Sequence, residues 1–273
     1  MIRCRLAAAV VALLLLSPMA NAQTNQASKS APPLTGALKK LENFPTPERR
    51  IGFVSPLAIN DTVPYMFYGA FPERVMMVTQ TLSLTGYDIE SARKAMNELD
   101  QALAGITKRG AEMIVVGGSV LSFAYDRPNL LQRLATASDK LGVPVTTDME
   151  ATVAIMQRAG VRKVAVAHRL NGLDNKALSD YLTAAGFTLA GIVGPASPPG
   201  SVAQGETAMF TELGLVAGRN YPDADAILFL GGSTVNYPYL AAIQRETGKP
   251  VFNNAMGMLD YMQNWLDANP KRR

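Results

Sequence analysis

Two glycine-and-hydroxyl runs stand out because each follows an uncharged apolar stretch. Met113-Ile114-Val115-Val116 leads into Gly117-Gly118-Ser119, and Ile227-Leu228-Phe229-Leu230 leads into Gly231-Gly232-Ser233-Thr234. Where a glycine-rich turn opens a helix, the first-turn N–H groups are unpaired and the helix dipole is positive, so the turn holds anions. Ser119 and Ser233 can each add a hydroxyl donor to a carboxylate or developing oxyanion, or cap the helix, and these roles are compatible. A serine nucleophile is not expected, because neither serine sits in a Gly-x-Ser-x-Gly elbow. The expected ligand is a small anion.

Side chains able to move protons are few. His168 is the single histidine, and its ordinary pKa suits proton transfer at neutral pH. It falls directly after an apolar run, a position that belongs to a cleft, although a lone histidine there can equally face solvent. Arg169 can clamp a carboxylate in a two-pronged hydrogen bond or point into water; the second is the commoner fate of arginine. Asp148 can accept a proton or orient His168, but the expectation is that it caps a helix starting near Met149. Tyr87 can close a pocket or donate a phenolic hydrogen bond, and Asn236 and Tyr237 can line its far side or merely pack in a loop. The one cysteine, Cys4, lies near the start of the chain. With one histidine and no further cysteine, neither a multi-histidine zinc site nor a cysteine site can form, and no metal or cofactor is expected.

The first 22 residues read as a cleavable secretory signal. Arg3 and Arg5 precede a charge-free apolar stretch over 6–16, and Ala20-Asn21-Ala22 supplies a small-x-small cleavage pattern before Gln23. The apolar run is too short to span a membrane comfortably. Cleavage after Ala22 leaves 24 Lys+Arg against 22 Asp+Glu, so no clustered basic stripe points to nucleic acid. An exported, periplasmic protein free of the membrane is expected, with its oligomeric state open.

The rest of the chain is organised to position those residues. A Gln, Ser, Pro and Lys-rich stretch over 23–49 reads as a flexible leader, with a short helix at 38–41. Apolar strand candidates then fall at 50–54, 74–80, 113–116, 143–146, 163–167, 188–193, 226–230 and 250–252. Helical patterns lie between them at 89–109, 129–141, 149–159, 175–185, 204–219, 238–247 and 256–268. Such alternation implies an α/β fold with parallel sheets and right-handed crossovers. The stretch 195–201, rich in proline, can be a lid or a plain connection, and the thirteen methionines read as core filler.

An internal repeat sharpens the picture. Gly117-Gly118-Ser119 recurs 114 residues later, Ile51-Gly52-Phe53-Val54 is answered 113 residues later by Val164-Ala165-Val166-Ala167, and Gly142-Val143-Pro144-Val145 is answered 106 residues later at Gly248. Two similar lobes follow, one over 50–147, completed by the C-terminal helix, and one over 148–255. Ligands of open parallel sheets bind beyond the carboxyl ends of the strands. The candidates are then Ser55-Pro56, Gly117 to Ser119, Thr147-Asp148, His168-Arg169, Gly231 to Thr234 and Asn253-Asn254.

In their order, Thr85-Gly86-Tyr87-Asp88, Gly117-Gly118-Ser119-Val120-Leu121-Ser122-Phe123, Pro144-Val145-Thr146-Thr147, Gly160-Val161-Arg162-Lys163-Val164 and Gly231-Gly232-Ser233 resemble the aspartate/glutamate racemase superfamily. Within it, the branch of arylmalonate decarboxylase and maleate isomerase is nearest, over about 50–267. The resemblance implies two lobes around a cleft and chemistry at the carbon next to a carboxylate. An enediolate-like anion would be held by N–H and hydroxyl donors while cysteine thiols move protons. Those thiol positions fall on Gly118 and Gly231, so a two-thiol racemase and a decarboxylation completed by cysteine are both excluded. Ser119 keeps a hydroxyl, Gly232 and Ser233 keep N–H groups, and Pro56 and Tyr87 fall on pocket positions. Val120 and Leu170 replace hydroxyl-bearing side chains, leaving His168-Arg169 as the new polar pair.

Three readings follow. The first is an exported lyase or isomerase in which Gly117, Gly118, Ser119, Gly231, Gly232 and Ser233 hold the anion and His168 serves as acid/base, helped by Tyr87. The second is a binding protein for a small carboxylic acid, without chemistry. The third is a relic of the fold that binds a partner protein.

Overall fold

The computed structural model describes residues 35–59, 61–72, 74–194, 206–231 and 237–270. The chain divides into units 1–44 and 45–273. In the first, the described residues form a 3-10 helix, Gly36–Asn43. All that follows concerns the second.

Eight strands form, each close to its sequence-based position: β1 Arg49–Ser55, β2 Val75–Thr81, β3 Met113–Val116, β4 Val145–Thr147, β5 Lys163–His168, β6 Thr188–Val193, β7 Ala226–Leu230 and β8 Val251–Asn253. They make two four-stranded sheets with the same order, β2-β1-β3-β4 and β6-β5-β7-β8. Every pairing is parallel. Parallel strands covered on both faces must be apolar throughout, and this is what made them visible in the sequence. Ile51, Val54, Ile114, Val164, Val166 and Leu228 are all wholly buried.

The helices are α1 Thr62–Ala70, α2 Ile89–Met96, α3 Leu99–Lys108, α4 Ser119–Ser122, α5 Arg127–Leu141, α6 Asp148–Arg158, α7 Asn175–Ala184, α8 Glu206–Asn220, α9 Tyr237–Thr247 and α10 Asn254–Ala268. Short polar side chains start several of them, as capping physics requires. Thr147 accepts from the Glu150 N–H at 3.1 Å at the head of α6, and Asn253 accepts from the Met256 N–H at 2.7 Å at the head of α10. Among the described residues no helix is long and apolar enough to cross a membrane.

Three features tie the two sheets into one body. A single apolar cluster runs from Val116, Val120 and Leu121 to Val166, Leu170 and Leu230. Arg127 of α5 grips Glu150 of α6 with two hydrogen bonds of 2.8 Å, and the Tyr181 hydroxyl of α7 donates to the same carboxylate. Burial and the facing Glu150 push the Tyr181 phenol well above its usual range. The last helix, α10, leaves the second sheet to cover the first, with Met258 and Met262 packed among Ile51, Phe53 and Met77.

The approach of α10 to α6 is close enough to demand glycine at 257. A Cβ there would lie 2.6 Å from Thr152 Cα and 2.8 Å from Thr152 N. Backbone cannot swing aside as a side-chain tip can, so Gly257→Ala is expected to destabilise the protein by about 1–3 kcal/mol. Urea denaturation of the variant, compared with the parent, checks this.

Candidate functional site

The carboxyl ends of six strands meet around one cavity. Pro56 follows β1, Gly117, Gly118 and Ser119 follow β3, and Asp148 follows β4; Arg169, Gly231 and Asn254 come from beyond β5, β7 and β8. Phe53, Leu57, Leu84, Val120, Leu170 and Met258 supply apolar wall, and the segment entering α1 adds Ile59, Asp61, Thr62 and Val63. The cavity volume is about 100 Å³. Since a single water needs roughly 10–15 Å³ on such a measure, the space suits a small organic molecule.

At the β3 end the backbone turns sharply through Gly118, with φ 97° and ψ 92°. Its N–H donates to Asp148 Oδ2 at 2.8 Å. A Cβ on Gly118 would lie 2.6 Å from Pro56 Cβ, so both conformation and space restrict the position to glycine. Ser119, 3% exposed, then opens the single turn of α4. Its N–H and that of Val120 belong to the unpaired first-turn donors of the helix.

Asp148 is not the helix cap its sequence position suggests. The cap of α6 is Thr147, while Asp148 is the first helical residue, 2% exposed, with its side chain in the cavity wall. Oδ2 accepts from the Gly118 N–H and from Asn254 Nδ2, each at 2.8 Å, whereas the buried Oδ1 has no partner. Burial raises its pKa from 3.8 to about 6, against the opposing pull of the hydrogen bonds from Asn254 and Gly118. The available signal was position, since an acidic residue immediately after an apolar strand lies at the ligand-binding edge of the sheet. Asn254 carries the same signal, and its Oδ1 is also buried without a partner.

His168 does not line the cavity, contrary to expectation. It is 3% exposed at the end of β5, and its Nε2 faces Asn175 Oδ1 of α7 at 3.1 Å. Strand alternation is the reason: His168 follows Val164 and Val166 onto the face covered by Leu178 and Leu182 of α7. Burial lowers its pKa, partly opposed by Asn175. The ring is neutral at pH 7 and placed for packing.

Arg169, one residue on, takes the opposite direction. Rather than reaching into water, it is 8% exposed, donates from Nε to the Gly231 carbonyl at 2.7 Å and lies over the Phe210 ring at 5.4 Å from its centroid. Gly231 has φ 95°, and a Cβ there would lie 2.8 Å from Arg169 Cγ. The arginine stem thus fills the space that a side chain at 231 would need.

Of the other expected site residues, Pro56, Tyr87, Gly117, Gly118, Ser119, Arg169 and Gly231 all line the cavity. Gly232, Ser233, Thr234, Asn236 and the stretch 195–201 lie outside the described residues, and Tyr237 is the first residue of α9. Among the described residues no group of three or more His, Cys, Asp or Glu side chains could hold a metal ion.

The raised pKa of Asp148 has a measurable consequence. Between about pH 4 and 6 the folded chain holds a proton that the unfolded chain has released, so this group's contribution to stability declines as pH rises through that window. A shift of about two units corresponds to roughly 3 kcal/mol, fully lost above pH 6. Asp148→Asn is expected to remove that decline and to be the more stable protein at pH 7, as urea midpoints of both proteins from pH 4 to 8 would register.

Residues 51–268 match the family model of arylmalonate decarboxylase. No curated protein matches the chain by sequence. Among solved structures, unliganded arylmalonate decarboxylase is 24% identical with a TM-score of 0.66, covering 79% of this chain and 91% of its own. A mutant of the Nocardia farcinica maleate cis-trans isomerase with a covalently bound succinylcysteine intermediate is 18% identical, with a TM-score of 0.67 and coverage of 80% and 93%. The maleate isomerase Iso from Pseudomonas putida S16 is 16% identical, with a TM-score of 0.65 and coverage of 80% and 93%. The fold is therefore the two-lobed one of the Asp/Glu racemase-like proteins.

Proposed function

Because this chain belongs to the arylmalonate decarboxylase family, we propose that it is a thiol-free lyase or isomerase acting at the carbon next to the carboxylate of a small acid. Loss of a proton or of carbon dioxide from that carbon leaves an electron pair, which passes into the remaining carboxyl group as an enediolate-like anion. The observation that carries the reading is the cavity itself. It joins Ser119 and the N–H groups opening α4 to Arg169 and the buried Asp148, with apolar wall on the remaining sides. Donors already fixed where negative charge develops stabilise the transition state without reorganising, and an apolar surround strengthens them.

Cysteine cannot take part. The isomerase above captured a succinylcysteine, whereas this chain's only cysteine is Cys4, outside the matched residues. Tyr87 and Asp148 line the cavity and replace His168 as candidates for that role; Asp61, also in the lining, is held below the usual carboxylate range by the Thr62 N–H and hydroxyl. The same absence favours a second reading, a protein that binds a small carboxylic acid unchanged. Export belongs to this proposal as well, supported by the pattern of residues 1–22; N-terminal sequencing of protein recovered from its host should then begin at Gln23.

The test is NMR in deuterated water of the full chain with aryl-substituted malonates, 2-arylpropionates and maleate. Release of carbon dioxide, exchange of the α-proton or isomerisation supports the enzyme; binding without change supports the second reading. For the acid that turns over, Ser119→Ala should lower kcat/KM about 100-fold, the usual cost of removing one such donor. His168→Ala, by contrast, should leave turnover unchanged.

A further inference from the structure

Asp148 and the proposed ligand present a conflict of charge. Ser119 and Arg169 line the cavity that the proposed function assigns to an anion, yet Asp148 sits in the same wall. Two ionised carboxylates brought together out of water repel strongly, and a shared proton is the usual resolution. The geometry singles out where that proton would sit. Oδ2 is already engaged by the Gly118 N–H and Asn254 Nδ2, while Oδ1 is buried, lacks a partner and is free to carry hydrogen.

Resting on the reading of this cavity as a carboxylate site, we propose that Asp148 takes part as the neutral acid, so that each ligand is captured together with one proton. A neutral carboxyl no longer repels the anion that shares its wall with Ser119. The physical pattern has a precedent in ketosteroid isomerase, where an aspartic acid kept neutral by its apolar site donates to an oxyanion. Burial already moves Asp148 toward the neutral form before any ligand arrives.

The charged and titratable groups that face Asp148 from the surrounding elements are few. On its own helix, Glu150 is engaged by Arg127 and Tyr181. From α10 the facing group is the uncharged Asn254, and from the β3–α4 turn they are Gly118 and Ser119. From β8 it is Asn253, which caps α10. Beyond β5, Arg169 is turned onto the Gly231 carbonyl and Phe210, and His168 faces α7. Asp61 and Tyr87 complete the lining.

The experiment is calorimetric titration of the full chain with phenylacetate, phenylmalonate and succinate, each from pH 5 to 8. At pH 7.5 each titration is run in HEPES and in imidazole, whose different heats of ionisation report protons taken up, and MES serves the acidic end of the series. Near pH 7.5 the expected uptake approaches one proton per ligand bound, and Kd is expected to rise about tenfold per pH unit above pH 6. Asp148→Asn should abolish the uptake and flatten the profile. Binding with no uptake and an unchanged Kd from pH 5 to 8 would overturn the proposal while leaving the carboxylate site standing. Failure of all three acids to bind even at pH 5 would overturn both.

Discussion

The hydrogen bonds that converge on Asp148 Oδ2 are the constraint around which the site is arranged. One comes from the Gly118 N–H, at the turn between β3 and α4, and the other from Asn254, at the junction of β8 and α10. Asp148 itself starts α6 from the end of β4. A single carboxyl oxygen therefore fastens three strand ends, two from the first sheet and one from the second. The helices behind it keep that meeting in register, because α6 and α10 approach until Gly257 touches the Thr152 backbone. Loss of one donor would leave a buried carboxylate poorly satisfied, which costs more than the net worth of an ordinary hydrogen bond.

The two glycines at which the sequence resemblance leads one to look for thiols are closed in different ways. Gly118 is closed by backbone conformation and by Pro56, a rigid neighbour. Gly231 is closed by the stem of Arg169, a flexible side chain that reaches there from the neighbouring strand end. The absence of cysteine is thus built into the packing around both positions, beyond the identity of two residues. Arg169 couples the second closure to charge: the residue that occupies the space also brings a cation to the cavity wall.

Much of this was legible in the sequence, and the failures have physical causes. The central strands β1, β3, β5 and β7 stand out because doubly covered parallel strands are continuous apolar runs, whereas the edge strands β2 and β6 are partly exposed; the repeat is visible because both sheets use the same order. Helix α1, Thr-Val-Pro-Tyr-Met-Phe-Tyr-Gly-Ala, escaped notice because proline and glycine flank a nearly unbroken apolar run with little helical contrast. The single turn of α4 is too short to show any period. By position after an apolar run, residues 168 and 169 are both candidates for the cleft, yet neighbours along extended backbone point in opposite directions, and only Arg169 lines the cavity. The cap of α6 is ambiguous in the sequence because Thr147 and Asp148 are both good capping residues, and the choice between them depends on where the strand ends by a single position.

The apolar wall of the cavity has two effects with one cause. Phe53, Leu57, Leu84, Val120, Leu170 and Met258 exclude water, which strengthens any hydrogen bond that Ser119 or the α4 N–H groups make to an anion. The same exclusion penalises charge on Asp148 and lifts its pKa to about 6. A thiol, with an ordinary pKa of about 8.5, is neutral at pH 7 and can enter an anion site uncharged, whereas an ordinary aspartate at about 3.9 cannot. For a carboxyl to work where a chain has no thiol, its surroundings must therefore carry it most of the way toward the neutral form. Burial does this before a ligand arrives, and an approaching anion pushes in the same direction, so the environment that favours the anion also converts Asp148 from a repelling charge into a neutral neighbour.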